Sequence, residues 1–360
     1  MSMNSFVFDV PVEGCYETKW EAPSNIALVK YWGKYGQQLP QNPSISFTLS
    51  KCFTTTEVSF SPRENGQEAF DFLFDQKKQP EFHPKIQQFL DRIINYFPAL
   101  QNHHLSISSQ NSFPHSSGIA SSASAMAALA LCIVDFEKQF HNDWTDEAFL
   151  NKGSFLARLG SGSAARSING PLMVWGKSEA FSKSNDHYAI APSVDWHTIF
   201  HDYQDTVLIV DKGQKKVSST SGHGLMKGHP FAIQRFEQAH IHLEQFKSAL
   251  TKGDVELFID LTEAEALCLH AMMMTSNPRF VLIQPNTLAI IQKIQDFREH
   301  TKLPVCFSLD AGANVHLLYP LQERLSIMDF IQKELTTHCQ KGQYIEDQVG
   351  NGAKKFSLVL

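Results

Sequence analysis

Residues 114–125 read Pro-His-Ser-Ser-Gly-Ile-Ala-Ser-Ser-Ala-Ser-Ala, and an apolar run over 126–134 follows without a break. Small residues let the backbone come close to a ligand, and the hydroxyls of Ser116, Ser117, Ser121, Ser122 and Ser124 can donate to oxyanions. The run behind them is helical in composition. The unpaired N–H groups of a first helical turn, with the positive end of the helix dipole, form an anion site that needs no cationic side chain. The same composition also suits a flexible Ser/Gly linker or a helix with a small-residue packing face. The surrounding chain has to decide between them.

At 360 residues the chain can bury a large core and form two lobes. Hydrophobic residues make up 42% and charged residues 19%, which excludes a polar disordered chain. A net charge of -6 repels nucleic acid and anionic membrane in bulk, so an anionic small molecule needs a local cationic cluster. The six cysteines are scattered with no Cys-x-x-Cys pair, as expected of reduced core thiols in a cytoplasmic protein. The start lacks a signal-peptide pattern, and the apolar run over 125–134 falls short of the ~20 residues that span a bilayer. The sixteen histidines show no metal-ligand spacing: His197 and His201 lack the glutamate of a zincin helix.

Four further stretches carry chemistry. Residues 21–34 form an apolar, strand-like run that ends in Lys30 and Lys34 around Tyr31, Trp32 and Gly33; the lysines suit either a phosphate contact or a solvated strand end. Residues 158–170 read Arg-Leu-Gly-Ser-Gly-Ser-Ala-Ala-Arg-Ser-Ile-Asn-Gly, a second serine-glycine turn, flanked by Arg158 and Arg166, whose planar forks match phosphate oxygens unless they are surface arginines on a structural turn. Residues 212–224, rich in Lys, Ser and Gly, read as a lid or an exposed loop. Asp310 opens the turn Asp-Ala-Gly-Ala-Asn between two apolar strands and serves as a general base, as an orienting charge, or only as a hairpin turn, the reading favoured locally.

The remaining pattern is α+β. Residues 44–49 and 54–60 alternate as strands of an antiparallel sheet with one covered face, and Asn65-Gly66 predicts a hairpin back through 70–74. Three-and-four spacing predicts an amphipathic helix from Pro84 to Phe97. Residues 105–109 form a strand leading into the first serine turn, and Thr145 caps a following helix. A buried strand at 206–210 sets a domain boundary near residue 200, giving 1–200 and 201–360. Helices at 231–250, 255–274 and 287–300, strands at 305–309 and 315–319, a helix near 326–337 and a last strand at 357–360 complete the second half.

Together these stretches resemble the motifs of the diphosphomevalonate decarboxylase family, within the superfamily named for galactokinase, homoserine, mevalonate and phosphomevalonate kinases. Asn-Ile-Ala-Leu-Val-Lys-Tyr-Trp-Gly-Lys (25–34), Asn-Ser-Phe-Pro-His-Ser-Ser-Gly-Ile-Ala-Ser-Ser-Ala-Ser (111–124), Gly-Ser-Gly-Ser-Ala-Ala-Arg-Ser (160–167), Val-Ser-Ser-Thr (217–220) and Asp-Ala-Gly-Ala-Asn (310–314) occur in that family's order. The resemblance implies a two-lobed fold, with a ribosomal-protein-S5-like N-terminal lobe and a ferredoxin-like C-terminal lobe. It also implies ATP- and Mg2+-dependent conversion of mevalonate 5-diphosphate to isopentenyl diphosphate in a cytoplasmic homodimer. By matching positions, Asp310 acts on the 3-hydroxyl with Lys30 and Asn25 in support, and Arg166 pairs with the carboxylate. Tyr31, Lys34, Ser161, Ser163 and Ser219 hold the diphosphate. Ser108, Asn111, Ser116, Ser117, Gly118, Ser121 and Ser122 hold ATP, with Ser121 on Mg2+. The chain departs from the commoner pattern at His115-Ser116-Ser117, Ala313 and Thr220. A phosphomevalonate decarboxylase, a 3-hydroxyl kinase or a non-catalytic phosphometabolite-binding relative are the alternatives.

Overall fold

The computed structural model describes residues 6–114, 119–141, 144–212 and 219–357, with the backbone alone at 219–221. Two sheets and their helices form the α+β architecture. In chain order the first half runs β1 (Tyr16–Val29), a small hairpin of β2 (Lys34–Tyr35) and β3 (Leu39–Pro40), β4 (Ser44–Pro62), β5 (Phe70–Phe74), β6 (Lys77–Lys78), α1 (His83–Ile93), β7 (His103–Asn111), α2 (Ser121–Lys138), α3 (Asp146–Gly160) and β8 (Leu172–Trp175). The second half runs β9 (Gln204–Leu208), α4 (Ser219–Gly224), α5 (Ala232–Lys252), α6 (Val255–Thr275), α7 (Pro285–Thr301), β10 (Cys306–Leu309), β11 (Val315–Tyr319), α8 (Arg324–Phe330), β12 (Tyr344–Gln348) and β13 (Lys354–Lys355).

The larger sheet has the order β13-β1-β4-β7-β5-β6, with β8 also on β4; the smaller is β10-β11-β9-β12. β13 carries the end of the chain back onto β1. The expected hairpin between β4 and β5 does not form: β7 lies between them, antiparallel to β4 and parallel to β5. Asn65-Gly66 still turns the chain, but the central position goes to β7, whose Leu105 and Ile107 are buried in the main core. The alternation in β4 is also only half the story. Ile45, Phe47 and Leu49 enter one core, while Ser44, Ser46 and Thr48 are equally buried on the opposite face. On that hydroxyl-bearing face, Ser44 and Ser46 hold a guanidinium of the site.

α2 is apolar all round because it runs through the core: Ala123, Ala127, Ala130, Leu131 and Val134 are fully buried among α1, α3 and the larger sheet. α1 buries Ile86, Phe89, Leu90 and Ile93 as its spacing predicts, and the Thr145 hydroxyl caps α3 by accepting from the Ala148 N–H. Between α5 and α6, Gly253 ends one helix in a left-handed conformation and Asp254 caps the next.

β12 is a strand that sequence patterning does not predict, because Tyr-Ile-Glu-Asp-Gln carries adjacent acids. Asp347 explains the second of them: its buried carboxylate accepts the backbone N–H groups of Ser50, Lys51 and Cys52, tying β12 to β4. Ser357 lies outside any strand, and the rest of the expected 357–360 strand is beyond the described residues. No helix among the described residues is long and apolar enough to cross a membrane. The six cysteines are free thiols.

Candidate active site

β1 runs into the turn that carries Lys30, Tyr31, Trp32 and Gly33. Gly33 sits at φ +94, where a Cβ would strain the backbone and press on the Phe236 ring at 3.0 Å. The turn is fixed from behind. The buried Glu265 of α6 accepts the Lys30 backbone N–H at 2.8 Å and pairs with Arg235, which also donates to the Lys30 carbonyl. Burial alone would raise the Glu265 pKa, but Arg235, His242 and that N–H hold it below the ordinary value.

With the backbone held, the buried Lys30 ammonium reaches across to the smaller sheet. It donates to Ser308 Oγ at 2.9 Å and pairs with Asp310 Oδ1 at 3.1 Å. Asp310 closes the β10–β11 turn with its carbonyl accepting from Gly312, and His270 Nε2 donates to the same carbonyl at 3.1 Å. Burial first, and the Lys30 charge in addition, depress the His270 pKa to about 4 against the opposing pull of that hydrogen bond. The neutral ring thus braces the aspartate turn. Asn314 fixes its far end by accepting the N–H groups of Val210 and Asp211.

Arg166 stands on the hydroxyl face of β4. Its guanidinium is fully buried and donates to Ser44 Oγ, Ser46 Oγ and Asn25 Oδ1, all neutral acceptors. It forms no ion pair among the described residues, and burial lowers its pKa to about 10, partly offset by Asp310 and Tyr31. It therefore stays charged at neutral pH with only neutral groups in direct contact among the described residues, a costly arrangement that a bound anion relieves. Asn25 is scaffold: its amide donates to the Ser163 carbonyl and Ser167 Oγ. The Tyr31 hydroxyl is buried with no partner among the described residues, and burial raises its pKa.

Lys30, Asp310, Arg166, Asn25 and Tyr31 face one cavity of about 550 Å3, whose walls also include Lys34, Ser121, Ser122, Ser161 and Ser163. The two serine turns meet there, with Ser122 Oγ 3.4 Å from Ser161 Oγ. Ala120, immediately before α2, is a non-glycine residue in the left-handed region at φ 42, a strained conformation of the kind that concentrates at functional sites. Lys34, half-buried, donates to Gln38 at 2.8 Å, and burial followed by the Arg92 charge lowers its pKa.

Two expectations need correction, and others lie outside the described residues. Ser108 does not line the cavity: strand alternation sends Ser109 and Asn111 into it and Ser108 to the other face, opposite Glu57. Arg158 is not a phosphate fork. It is buried and holds loops by donating to the carbonyls of His187 and Gln37. Ser116, Ser117 and Gly118 lie outside the described residues, as does the Ser219 side chain; the α4 backbone begins at Ser219. Sequence reasoning also missed His223, which lines the cavity, and an outer recess of Phe72, Phe74 and Phe82. The spacing of Phe70, Phe72 and Phe74 was the available signal for that recess.

Two family models match the chain: the diphosphomevalonate decarboxylase-like N-terminal domain over residues 22–189 and the mevalonate 5-diphosphate decarboxylase C-terminal domain over residues 206–357. Diphosphomevalonate decarboxylase of Saccharomyces cerevisiae is 30% identical over 342 residues, 88% of this chain and 81% of that protein. Phosphomevalonate decarboxylase of Haloferax volcanii is 28% identical over 293 residues, 81% of this chain and 84% of that protein. Among solved structures, one described as MDDEF in complex with MVAPP, AMPPCP and magnesium superposes with a TM-score of 0.82 at 28% identity, over 96% of this chain and 100% of its own.

Proposed function

The chain belongs to the diphosphomevalonate decarboxylase family, and we propose that its cavity divides the family's reaction between an aspartate turn and an anion-binding wall. The enzyme is an ATP-dependent decarboxylase of the mevalonate pathway, converting mevalonate 5-diphosphate and ATP to isopentenyl diphosphate, ADP, phosphate and carbon dioxide. The observation that carries the division is that Arg166, buried and without an ion pair among the described residues, shares one cavity with the Lys30–Asp310 pair.

A tertiary hydroxyl is a poor leaving group. Phosphorylation at the 3-hydroxyl makes it a good one, after which the C1–C2 bond breaks, the C2=C3 bond forms and the C3–O bond breaks. Asp310 orients the 3-hydroxyl and takes its proton, while the Lys30 ammonium pairs with the carboxylate and aims it. Arg166 holds the C1 carboxylate until carbon dioxide leaves, with Asn25 fixing the guanidinium. Tyr31, Lys34, Ser161, Ser163 and Ser219 take the diphosphate.

The first turn of α2 fits a nucleotide's phosphates, with Ser121 and Ser122 hydroxyls, free N–H groups and the opened backbone at Ala120. Mg2+-ATP, when bound, supplies the phosphoryl group and neutralises its charge. No group of three or more His, Cys, Asp or Glu able to hold a metal occurs among the described residues, so the donor set fits a magnesium ion carried by phosphate oxygens with Ser121 rather than by a protein cage. Asn111 and the Phe72–Phe74–Phe82 recess would face the nucleoside. The reading extends to a cytoplasmic homodimer, supported by the family resemblance.

The test supplies Mg2+-ATP with mevalonate 5-diphosphate or 5-phosphate and follows ADP and carbon dioxide together. Equal release of both from the diphosphate is expected; ADP without carbon dioxide would make the enzyme a kinase, and preference for the monophosphate would reassign the substrate.

A further inference from the structure

His223 is the penultimate residue of the short helix α4 and is 8% exposed, yet it lines the same cavity as the Lys30 turn and Arg166. Its ring packs on two aromatic neighbours, Tyr31 at 4.2 Å and Trp32 at 4.8 Å between centroids, each tilted by 38°. The backbone allows this only because residue 222 is glycine, where a Cβ would meet the Trp32 ring at 2.5 Å. One ring nitrogen has a fixed role: Nδ1 accepts the Gly33 backbone N–H at 3.0 Å. A neutral imidazole whose Nδ1 accepts carries its proton on Nε2. Burial is the main reason that the ring stays neutral, with its pKa lowered to about 3, and the charges of Lys34 and Arg166 push the same way. Nε2 has no partner among the described residues. The groups facing the ring are thus Tyr31, Trp32, the Gly33 amide, Lys34 and Arg166.

We propose that His223 binds substrate, donating a neutral Nε2–H hydrogen bond to a phosphate oxygen of the bound mevalonate 5-diphosphate beside Tyr31 and Lys34. The proposal rests on the function proposed above and adds to it a recognition residue. The chemistry suits the position. Next to two cations, a third positive charge would be repelled when the site is empty, whereas a neutral donor adds a contact without that cost. The Tyr31 hydroxyl, buried beside the same ring with no partner among the described residues, is a second donor for the same group of oxygens. Gly33 links the contact to the Lys30 turn, so an occupied Nε2 also steadies the backbone that aims Lys30.

His223→Met keeps side-chain bulk and removes both ring nitrogens; His223→Gln retains a donor at about the same reach. A hydrogen bond to a charged oxygen predicts that KM for mevalonate 5-diphosphate rises on the order of 10- to 100-fold in His223→Met, with KM for ATP unchanged and part of the loss restored in His223→Gln. A purely structural role would lower Tm and impair both substrates alike. Should the variants fold poorly, 15N NMR of the wild-type imidazole decides: an Nε2–H tautomer whose resonances shift on adding mevalonate 5-diphosphate is expected. An Nδ1–H or doubly protonated ring, or an unmoved Nε2 in a protein that binds the substrate, overturns the inference. Failure of the wild-type protein to bind mevalonate 5-diphosphate at all would instead overturn the functional reading.

Discussion

At one end of the cavity Lys30 and Asp310 are paired with each other and backed by Ser308, His270 and the Glu265–Arg235 pair. At the other end Arg166 meets only neutral acceptors, and the Tyr31 hydroxyl has no partner among the described residues. The first arrangement is preorganised: its charges are spent inside the protein, and what it offers a ligand is a fixed carboxylate. The second stores an unfavourable burial that an anion relieves. Chemistry is therefore expected to depend on the first end and affinity on the second.

The largest effect is expected at the paired end. Asp310→Asn should lower kcat about 10^3-fold, the scale of a lost general base, which a coupled ADP assay will measure. Arg166→Ala comes next. Losing a charge-assisted contact should weaken mevalonate 5-diphosphate binding about 100-fold, while titration with a non-hydrolysable ATP analogue shows the nucleotide affinity unchanged. Lys34, half-exposed on the rim, should cost about 10-fold in the same measurement when replaced by Ala. A loss of nucleotide affinity in either variant would erase the contrast between the two ends.

The smallest effect sharpens how the aspartate turn is held. His270 is neutral in the fold down to about pH 4, whereas an unfolded histidine takes a proton near its ordinary 6.5. Its contribution to stability is thus complete above pH 6.5 and is lost as the pH falls toward 4. Urea unfolding of the wild type and His270→Asn should differ in slope over that window, with this one proton accounting for about 0.8 kcal/mol at pH 6. Equal slopes would mean that the ring is not neutral in the fold.

The paired end and the Arg166 wall were largely legible in the sequence, because Lys-Tyr-Trp-Gly-Lys, the two serine turns and Asp-Ala-Gly-Ala-Asn are chemically marked and few other stretches resemble them. What supports them was not. Glu265, His270 and His223 sit in helical segments where a buried polar residue breaks no pattern, and only the packing of α4 and α6 against the turns that follow β1 and β10, and of α5 against α6, gives them partners. Ser108 illustrates a different limit: a strand shows its two faces in sequence, but which face meets the cavity is set by pairing, and an error of one residue exchanges Ser109 for Ser108. The β4–β5 hairpin failed for a related reason, since a local turn signal says nothing of a later strand that inserts between its arms.

The division of labour is tested most directly by calorimetric titration of mevalonate 5-diphosphate into Asp310→Asn and Arg166→Ala side by side. Binding to Asp310→Asn within about 3-fold of the wild type, with the loss of affinity confined to Arg166→Ala, is the predicted result. An Asp310→Asn enzyme that loses affinity as severely as Arg166→Ala would contradict it, because both ends would then be serving to bind.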